Sequence, residues 1–104
     1  MKIVYIAGRY RGKDPNEVYE NIQFARTYGL KYWRLGYSVI TPHMNTAFMD
    51  EIGTDQKFLE GDLEMLRRCD IVVMIPGWQE SVGAKNEHME ALSLGKEVIY
   101  EFKE

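Results

Sequence analysis

The feature that most constrains the fold of this chain is a regular alternation of short apolar runs with longer helix-patterned segments. Four runs rich in β-branched and aromatic residues span 3–7, 37–41, 71–75 and 98–102. Strands that alternate with helices form parallel sheets, and right-handed crossovers place the helices on both faces. We therefore expect an α/β fold, a flavodoxin- or Rossmann-like three-layer sandwich around a parallel sheet of about four strands.

The first predicted helix has clear signals at both ends. Asp14 suits its N-cap and Pro15 its first turn, and Glu17 completes the pattern of a capping box. Gly36 suits the residue that follows the helix. Gly29 lies inside the segment and argues against one continuous helix, because glycine has a low helix propensity.

The second and third predicted helices are less sharply bounded. Residues 43–53 form a polar, irregular stretch whose length is typical of functional loops. Thr54 can cap the helix that follows. The apolar side of that helix consists of Phe58, Leu59, Leu63, Met65 and Leu66. The third helix covers roughly 84–94, and Gly95 closes it.

Size and charge narrow the function classes. The 104 residues suffice for one compact domain, 1–104, and so small a core makes a homo-oligomer expected. A formal net charge of −3 opposes broad binding to nucleic acid polymers or anionic membranes. The N-terminal segment resembles neither a signal peptide nor a membrane span, and the single cysteine, Cys69, indicates no oxidising compartment. A cytoplasmic location is therefore expected.

The loop after the first strand is a candidate anion site. In open parallel sheets, ligands bind beyond the carboxyl ends of the strands. Gly8 and Gly12 let the backbone turn tightly, and Arg9 and Arg11 between them can grip a phosphate or carboxylate. The loop matches neither a dinucleotide fingerprint nor a Walker A motif. The alternative is a solvated turn with two surface arginines.

The loop after the third strand leads into the third helix and carries a second group of candidates. Ser81 and the amides that follow it lie at a helix N-terminus, which favours anions. Trp78 lies in a Pro-Gly turn, where an indole is costly to expose unless it packs or stacks. Glu87 follows within the first turn or so of the helix. In the structural alternative, Ser81 only caps the helix and Glu87 only complements its dipole.

Other polar residues carry weaker signals. Asp62 lies among several acidic residues, a pattern typical of a solvated helix face. His43 is a lone histidine that could bind substrate or simply lie in a loop. The histidines and the single cysteine do not match a zinc spacing, so we expect neither a metal nor another cofactor.

Three segments, taken in order, resemble the nucleoside 2-deoxyribosyltransferase-like family, including its small nucleotide N-glycosidase branch. They are 4–8 with Arg11-Gly12, 62–66 leading to 69–73, and Gly77-Trp78 with 81–83 and Glu87. The insertion at 76–78 is typical of a bacterial and phage-like subgroup. The resemblance implies a small-molecule nucleoside or nucleotide as the partner.

The resemblance also implies roles for three residues. Glu87 matches the glutamate that attacks the anomeric carbon of the sugar, which implies a covalent glycosyl-enzyme intermediate. Tyr5 matches a tyrosine thought to hold or orient that nucleophile. Asp62 matches an aspartate that assists at the sugar or the leaving base, as a general acid.

The same resemblance implies a site for a 5′-phosphate. Gly8, Arg11, Ser81 and Gly83 match the phosphate-binding loops, and Arg9, Gly12, His43 and Trp78 are further candidate substrate contacts. The resulting hypothesis is an enzyme, a nucleotide N-glycosidase or 2-deoxyribosyltransferase. A nucleotide-binding or sensor module without turnover is the main alternative, and a flavodoxin-like interaction domain is a third.

Overall fold

A parallel sheet covered by helices on both faces forms the protein, and the expected fold is confirmed. The computed structural model describes residues 1–47 and 55–103. Its strands are β1 (Ile3–Ala7), β2 (Ser38–Ile40), β3 (Ile71–Met74) and β4 (Glu97–Tyr100). Its helices are α1 (Pro15–Arg34), α2 (Pro42–Asn45), α3 (Asp55–Arg67) and α4 (Val82–Ser93), with a 3₁₀ turn at Trp78–Glu80.

The strand order positions the site. Within the described residues the sheet runs β2-β1-β3-β4, so β1 and β3 lie side by side at its centre. The strand that follows β1 is added on one side of this central pair, and the strand that follows β3 is added on the other side. The carboxyl ends of β1 and β3 therefore border a crevice of the kind that binds ligands. Both strands are almost fully buried, because one core packs beneath α3 and α4 and a second beneath α1.

Helix α1 begins as predicted but does not complete the capping box. Oδ1 of Asp14 accepts a hydrogen bond of 2.8 Å from the amide of Glu17. The Glu17 carboxylate accepts instead from Nη2 of Arg9, at 3.0 Å. The expectation that Gly29 interrupts the helix is wrong, because α1 runs continuously from Pro15 to Arg34. The position requires glycine because a Cβ there would lie 2.7 Å from Oγ1 of Thr41. This glycine allows the close approach of β2 and the residue that follows it.

Several element boundaries differ from the predicted ones. Helix α4 begins at Val82 rather than near 84, because Oγ of Ser81 caps it by accepting from the amide of Ala84 at 3.1 Å. Strand β4 covers Glu97–Tyr100 and not 98–102. The stretch predicted to be irregular from 43 opens with the short helix α2. The predicted cap Thr54 lies outside the described residues.

Within residues 1–47 and 55–103, no helix is both long and apolar enough to span a membrane. Self-association and a cytoplasmic location stay predictions.

Candidate active site

A cleft with a volume of about 710 Å³ opens at the carboxyl ends of β1 and β3. Its walls come from the loop after β1, from α2 and α3, and from the start of α4. All the residues predicted from the sequence to form the site line this cleft except Tyr5 and Trp78. Segments far apart in the chain therefore meet at the edge of the sheet where a ligand was expected.

Tyr5 lies beneath the cleft and binds Glu87. Its side chain is fully buried in β1, and its hydroxyl donates a hydrogen bond to Oε2 of Glu87. Burial, and after it the nearby charge of Glu87, raises the pKa of Tyr5 far above its ordinary value. Tyr5 therefore keeps its proton across the physiological range and acts as a permanent donor to the carboxylate.

Glu87 is a carboxyl group with a strongly perturbed pKa on the wall of the cleft. Burial raises its pKa from 4.5 to about 8, the hydrogen bond from Tyr5 opposes the shift, and the charge of Asp62 adds to it. Because α4 begins at Val82, Glu87 lies in the second turn of the helix. The helix dipole acts mainly within the first turn, so complementing the dipole does not explain this residue.

Asp62 brings a second perturbed carboxyl group to the same cleft. It projects from α3, and burial raises its pKa from 3.8 to about 6. Asp62 is thus half-buried at the cleft rather than part of a solvated acidic face. Two carboxyl groups with separated pKa values in one cleft are typical of an acid–base or nucleophile–acid pair.

Side chains from two helices hold the loop after β1 in place. Nδ2 of Asn21 donates to the carbonyls of Tyr10 and Arg11 at 3.1 and 3.2 Å. His43, which is 5% exposed, donates from Nε2 to the carbonyl of Arg9 at 3.2 Å. These three hydrogen bonds fix the conformation of the loop at the edge of the cleft. No local sequence pattern marks Asn21, because its partners lie ten or more positions away in the chain.

His43 is a neutral histidine with a defined tautomer. Burial lowers its pKa, although the carbonyls of Arg9 and Gly8 oppose the shift. A carbonyl only accepts, so the proton of the neutral ring must lie on Nε2. Nδ1 finds no hydrogen-bond partner among the residues that the structure describes. His43 therefore supports the loop rather than acting as an acid.

The structure does not bring Trp78 together with the other predicted residues. Its ring packs against His88, with centroids 4.4 Å apart, and lies 6.2 Å from the ring of Tyr100. It borders a separate cavity of about 360 Å³ beside the end of β4. The sequence predicts that an indole in this turn must pack or stack. His88 of α4 and Tyr100 of β4 provide that packing.

Two apolar residues of α3 were assigned to the core but line the cleft. Phe58 and Leu59 border it together with Asp62, one turn further along the same helix face. Tyr10, Thr46 and Asn86 also line the cleft. The sequence did contain a signal for this arrangement. Residues 58, 59 and 62 share one face of the helix, and an acidic residue on an apolar face indicates a site rather than a solvated surface. Among the described residues, no group of three or more His, Cys, Asp or Glu side chains could hold a metal ion.

Almost the whole chain matches one protein family. The model of a family described as a domain of unknown function (DUF4406) matches residues 2–100. The chain belongs to this family. No curated protein matches the sequence of this DUF4406 member.

Solved structures share its fold. The 2-deoxyribosyltransferase of the psychrotolerant bacterium Bacillus psychrosaccharolyticus is 21% identical, with a TM-score of 0.68 over 98% of this chain and 77% of that one. The 2-deoxyribosyltransferase of Leishmania mexicana is 18% identical, with a TM-score of 0.68 over 96% of this chain and 63% of that one. This DUF4406 domain therefore has the 2-deoxyribosyltransferase fold and spans less than two thirds of the second protein. The resemblance seen in the sequence is confirmed at the level of the fold.

Proposed function

We propose that this protein cleaves the N-glycosidic bond of a nucleoside or deoxynucleoside 5′-monophosphate, with Glu87 as the nucleophile. The hydrogen bond from buried Tyr5 to Glu87 carries the proposal, because it orients one carboxylate at the wall of a ligand-sized cleft. The names of the two similar structures, both 2-deoxyribosyltransferases, support the same class of chemistry.

The proposed first step forms a glycosyl ester. Since the Tyr5 hydroxyl occupies Oε2 of Glu87, Oε1 attacks C1′ of the sugar. The C1′–N bond breaks, its electron pair leaves with the base, and a nitrogen of the base takes the proton of Asp62. The raised pKa of Asp62, about 6, suits a group that must hold a proton and then release it.

The proposed second step returns the enzyme to its starting state. In a hydrolase, the Asp62 carboxylate takes a proton from water, whose oxygen attacks C1′ and releases Glu87. In a transferase, a nitrogen of a second base attacks C1′ instead and releases Glu87, and the proton of that nitrogen passes to the Asp62 carboxylate. Both routes retain the configuration at C1′, because each involves two displacements.

The phosphate end of the proposed site is formed by two segments that line the same cleft as the two carboxyl groups. Gly8, Arg11 and Gly12 supply the loop after β1, and Ser81 and Gly83 supply the start of α4. A guanidinium and the first amides of a helix are both suited to a phosphate. This pairing supports a 5′-monophosphate rather than a nucleoside as the substrate.

The test is release of free base from a panel of nucleosides and their 5′-monophosphates, analysed by chromatography. We expect the parent protein to release base from a monophosphate and Glu87→Ala to release none. With a 2′-deoxy-2′-fluoroarabino nucleotide, we expect a trapped nucleotide-derived adduct on Glu87. The matched control is Glu97→Gln, which removes an exposed carboxylate at the start of β4. No free base with any substrate, or full activity in Glu87→Ala, would contradict the proposal.

One observation favours a second function, nucleotide binding without turnover. With a pKa of about 8, only about a tenth of Glu87 is ionised at pH 7. A binding module needs the phosphate loop but no ionised Glu87. Monophosphate binding that survives Glu87→Gln, with no free base from the parent protein at pH 7 or pH 9, would support this second function.

A further inference from the structure

Arg9 lies between two carboxylates, one on α1 and one in the 3₁₀ turn after β3. Its Nη2 lies 3.0 Å from Oε1 of Glu17 on α1. Its Nη1 lies 3.9 Å from Oε2 of Glu80, in the 3₁₀ turn after β3. Its Nε donates to the carbonyl of Arg11 at 3.2 Å. The guanidinium therefore links three segments of the chain.

The two ion pairs differ in strength. The Glu17 side chain is 25% exposed, and its Oε1 also accepts from the amide of Lys13 at 3.4 Å. The Glu80 side chain is 74% exposed, and its separation from Arg9 is close to the limit of an ion pair. A long pair in solvent contributes little to stability, whereas the shorter pair to Glu17 fixes the guanidinium. Arg9 thus has one firm partner and one that is easily exchanged.

The exchangeable partner, Glu80, lines the same cleft as the proposed phosphate site. Arg9 and Glu80 both line the cleft, together with Arg11 and Ser81 of the proposed phosphate site. A carboxylate at this position occupies the anion-binding edge of Arg9 and also repels an incoming dianion. The Glu80 carboxylate therefore makes phosphate binding weaker.

We infer that Glu80 occupies the place of a substrate phosphate: a 5′-phosphate displaces its carboxylate from Nη1 of Arg9, while Glu17 keeps the guanidinium in position. The inference rests on the proposed nucleotide substrate. It makes Glu80 a specificity-determining residue that weakens binding of monophosphates and leaves nucleosides unaffected. It also makes Arg9 a phosphate ligand whose orientation Glu17 sets.

The test compares Glu80→Gln with the parent protein in calorimetric titrations with dAMP, dGMP, dCMP and dTMP and with the four matching nucleosides. We expect about three- to tenfold tighter binding of the monophosphate that binds best, and less than a twofold change for its nucleoside. The gain should shrink as salt is added. Steady-state kinetics should show a lower KM with an unchanged kcat for the monophosphate.

Two control variants complete the test. Glu97→Gln makes the same change in net charge at the start of β4 and should leave binding unchanged. Arg9→Gln should weaken monophosphate binding about tenfold and reduce the effect of Glu80→Gln below twofold. Equal binding by Glu80→Gln and the parent, weaker binding by Glu80→Gln, or an equal gain in Glu97→Gln would each overturn the inference.

The outcomes separate this inference from the proposed function. If Glu80→Gln tightens monophosphate binding but no base is released, the inference stands and catalysis by Glu87 fails. If base is released from a monophosphate, but the parent and Glu80→Gln bind that monophosphate with equal affinity, catalysis by Glu87 stands and the inference fails. If no monophosphate binds either protein, the inference fails, and base release from nucleosides decides the role of Glu87.

Discussion

The hydroxyl of Tyr5 donates a hydrogen bond to Oε2 of Glu87, a residue 82 positions later in the chain. The bond joins the central strand β1 to helix α4, and it links the core beneath α3 and α4, which contains Tyr5, to the wall of the cleft, where Glu87 lies. A buried donor that keeps its proton stabilises the ionised form of the carboxyl group beside it. Tyr5 therefore helps to determine how much of Glu87 is available as a nucleophile.

Replacing Tyr5 by phenylalanine removes this donor, so the pKa of Glu87 should rise above about 8. We expect kcat at pH 7 to fall about tenfold or more and the optimum to move to higher pH. The measurement is the pH dependence of base release. Tyr19→Phe, at an exposed position of α1, is the control and should leave the profile unchanged. An unshifted optimum in Tyr5→Phe would contradict the role of Tyr5.

The pH–rate profile of the parent protein should be bell-shaped. The active state needs Asp62 protonated and Glu87 ionised, and the pKa values of about 6 and about 8 set the limbs on either side of an optimum near pH 7. Asp62→Asn should remove the falling limb and leave a rate that rises with pH. A substrate with an N7-methylated purine, whose base leaves without protonation, should restore most of the activity of Asp62→Asn. If Asp62→Asn lost the same share of activity on the ordinary and the N7-methylated substrate, Asp62 would not be a general acid.

Glu87 should reduce stability at high pH. Its pKa is raised from 4.5 to about 8 in the folded state, so the folded state binds the proton more tightly than the unfolded state. The associated stabilisation is fully present below pH 4.5 and is lost as the pH rises through 8. In urea denaturation at pH 9, Glu87→Gln should therefore be more stable than the parent by roughly 2–4 kcal/mol, and at pH 4 the two should be similar. A difference independent of pH would show that packing, not ionisation, is responsible.

Gly8 is required by the close approach of the loop after β1 to Ile75. A Cβ at Gly8 would lie 2.3 Å from Cγ1 and 2.6 Å from Cδ1 of that buried side chain. Gly8→Ala should reduce the free energy of unfolding by about 1–3 kcal/mol through overpacking. Gly61→Ala, inside α3 with open space around the new methyl group, should be stabilising by up to about 1 kcal/mol. Similar results for the two variants would contradict the predicted clash.

Asn21 should matter for phosphate binding although it does not line the cleft. An aspartate cannot donate to the carbonyls of Tyr10 and Arg11, so Asn21→Asp should release the loop after β1. We expect about tenfold weaker binding of the best monophosphate and little change for its nucleoside, measured by calorimetry. Asn16→Asp, at an exposed position in the first turn of α1, is the control. Equal effects on both ligands would indicate a general loss of structure.

The sequence alone determined the elements and the edge of the sheet at which the site lies. Apolar runs, the Asp14 cap and Gly36, which has a φ of 98°, are signals that act over a few residues. The placement of Ser81 at the start of α4 and of Arg11 after β1 follows from the same local patterns and from the geometry of parallel sheets.

Only the tertiary structure decided which of these residues meet and how they ionise. Burial and long-range contacts turn Glu87 and Asp62 from helix-surface candidates into perturbed carboxyl groups, and packing against His88 separates Trp78 from the cleft. Glu17 fits the pattern of a capping box in the sequence, yet its carboxylate binds Arg9 in the structure. The physical reason is that helix and strand signals depend on neighbours three or four positions away. Desolvation and charge–charge interactions depend instead on every segment packed around a group.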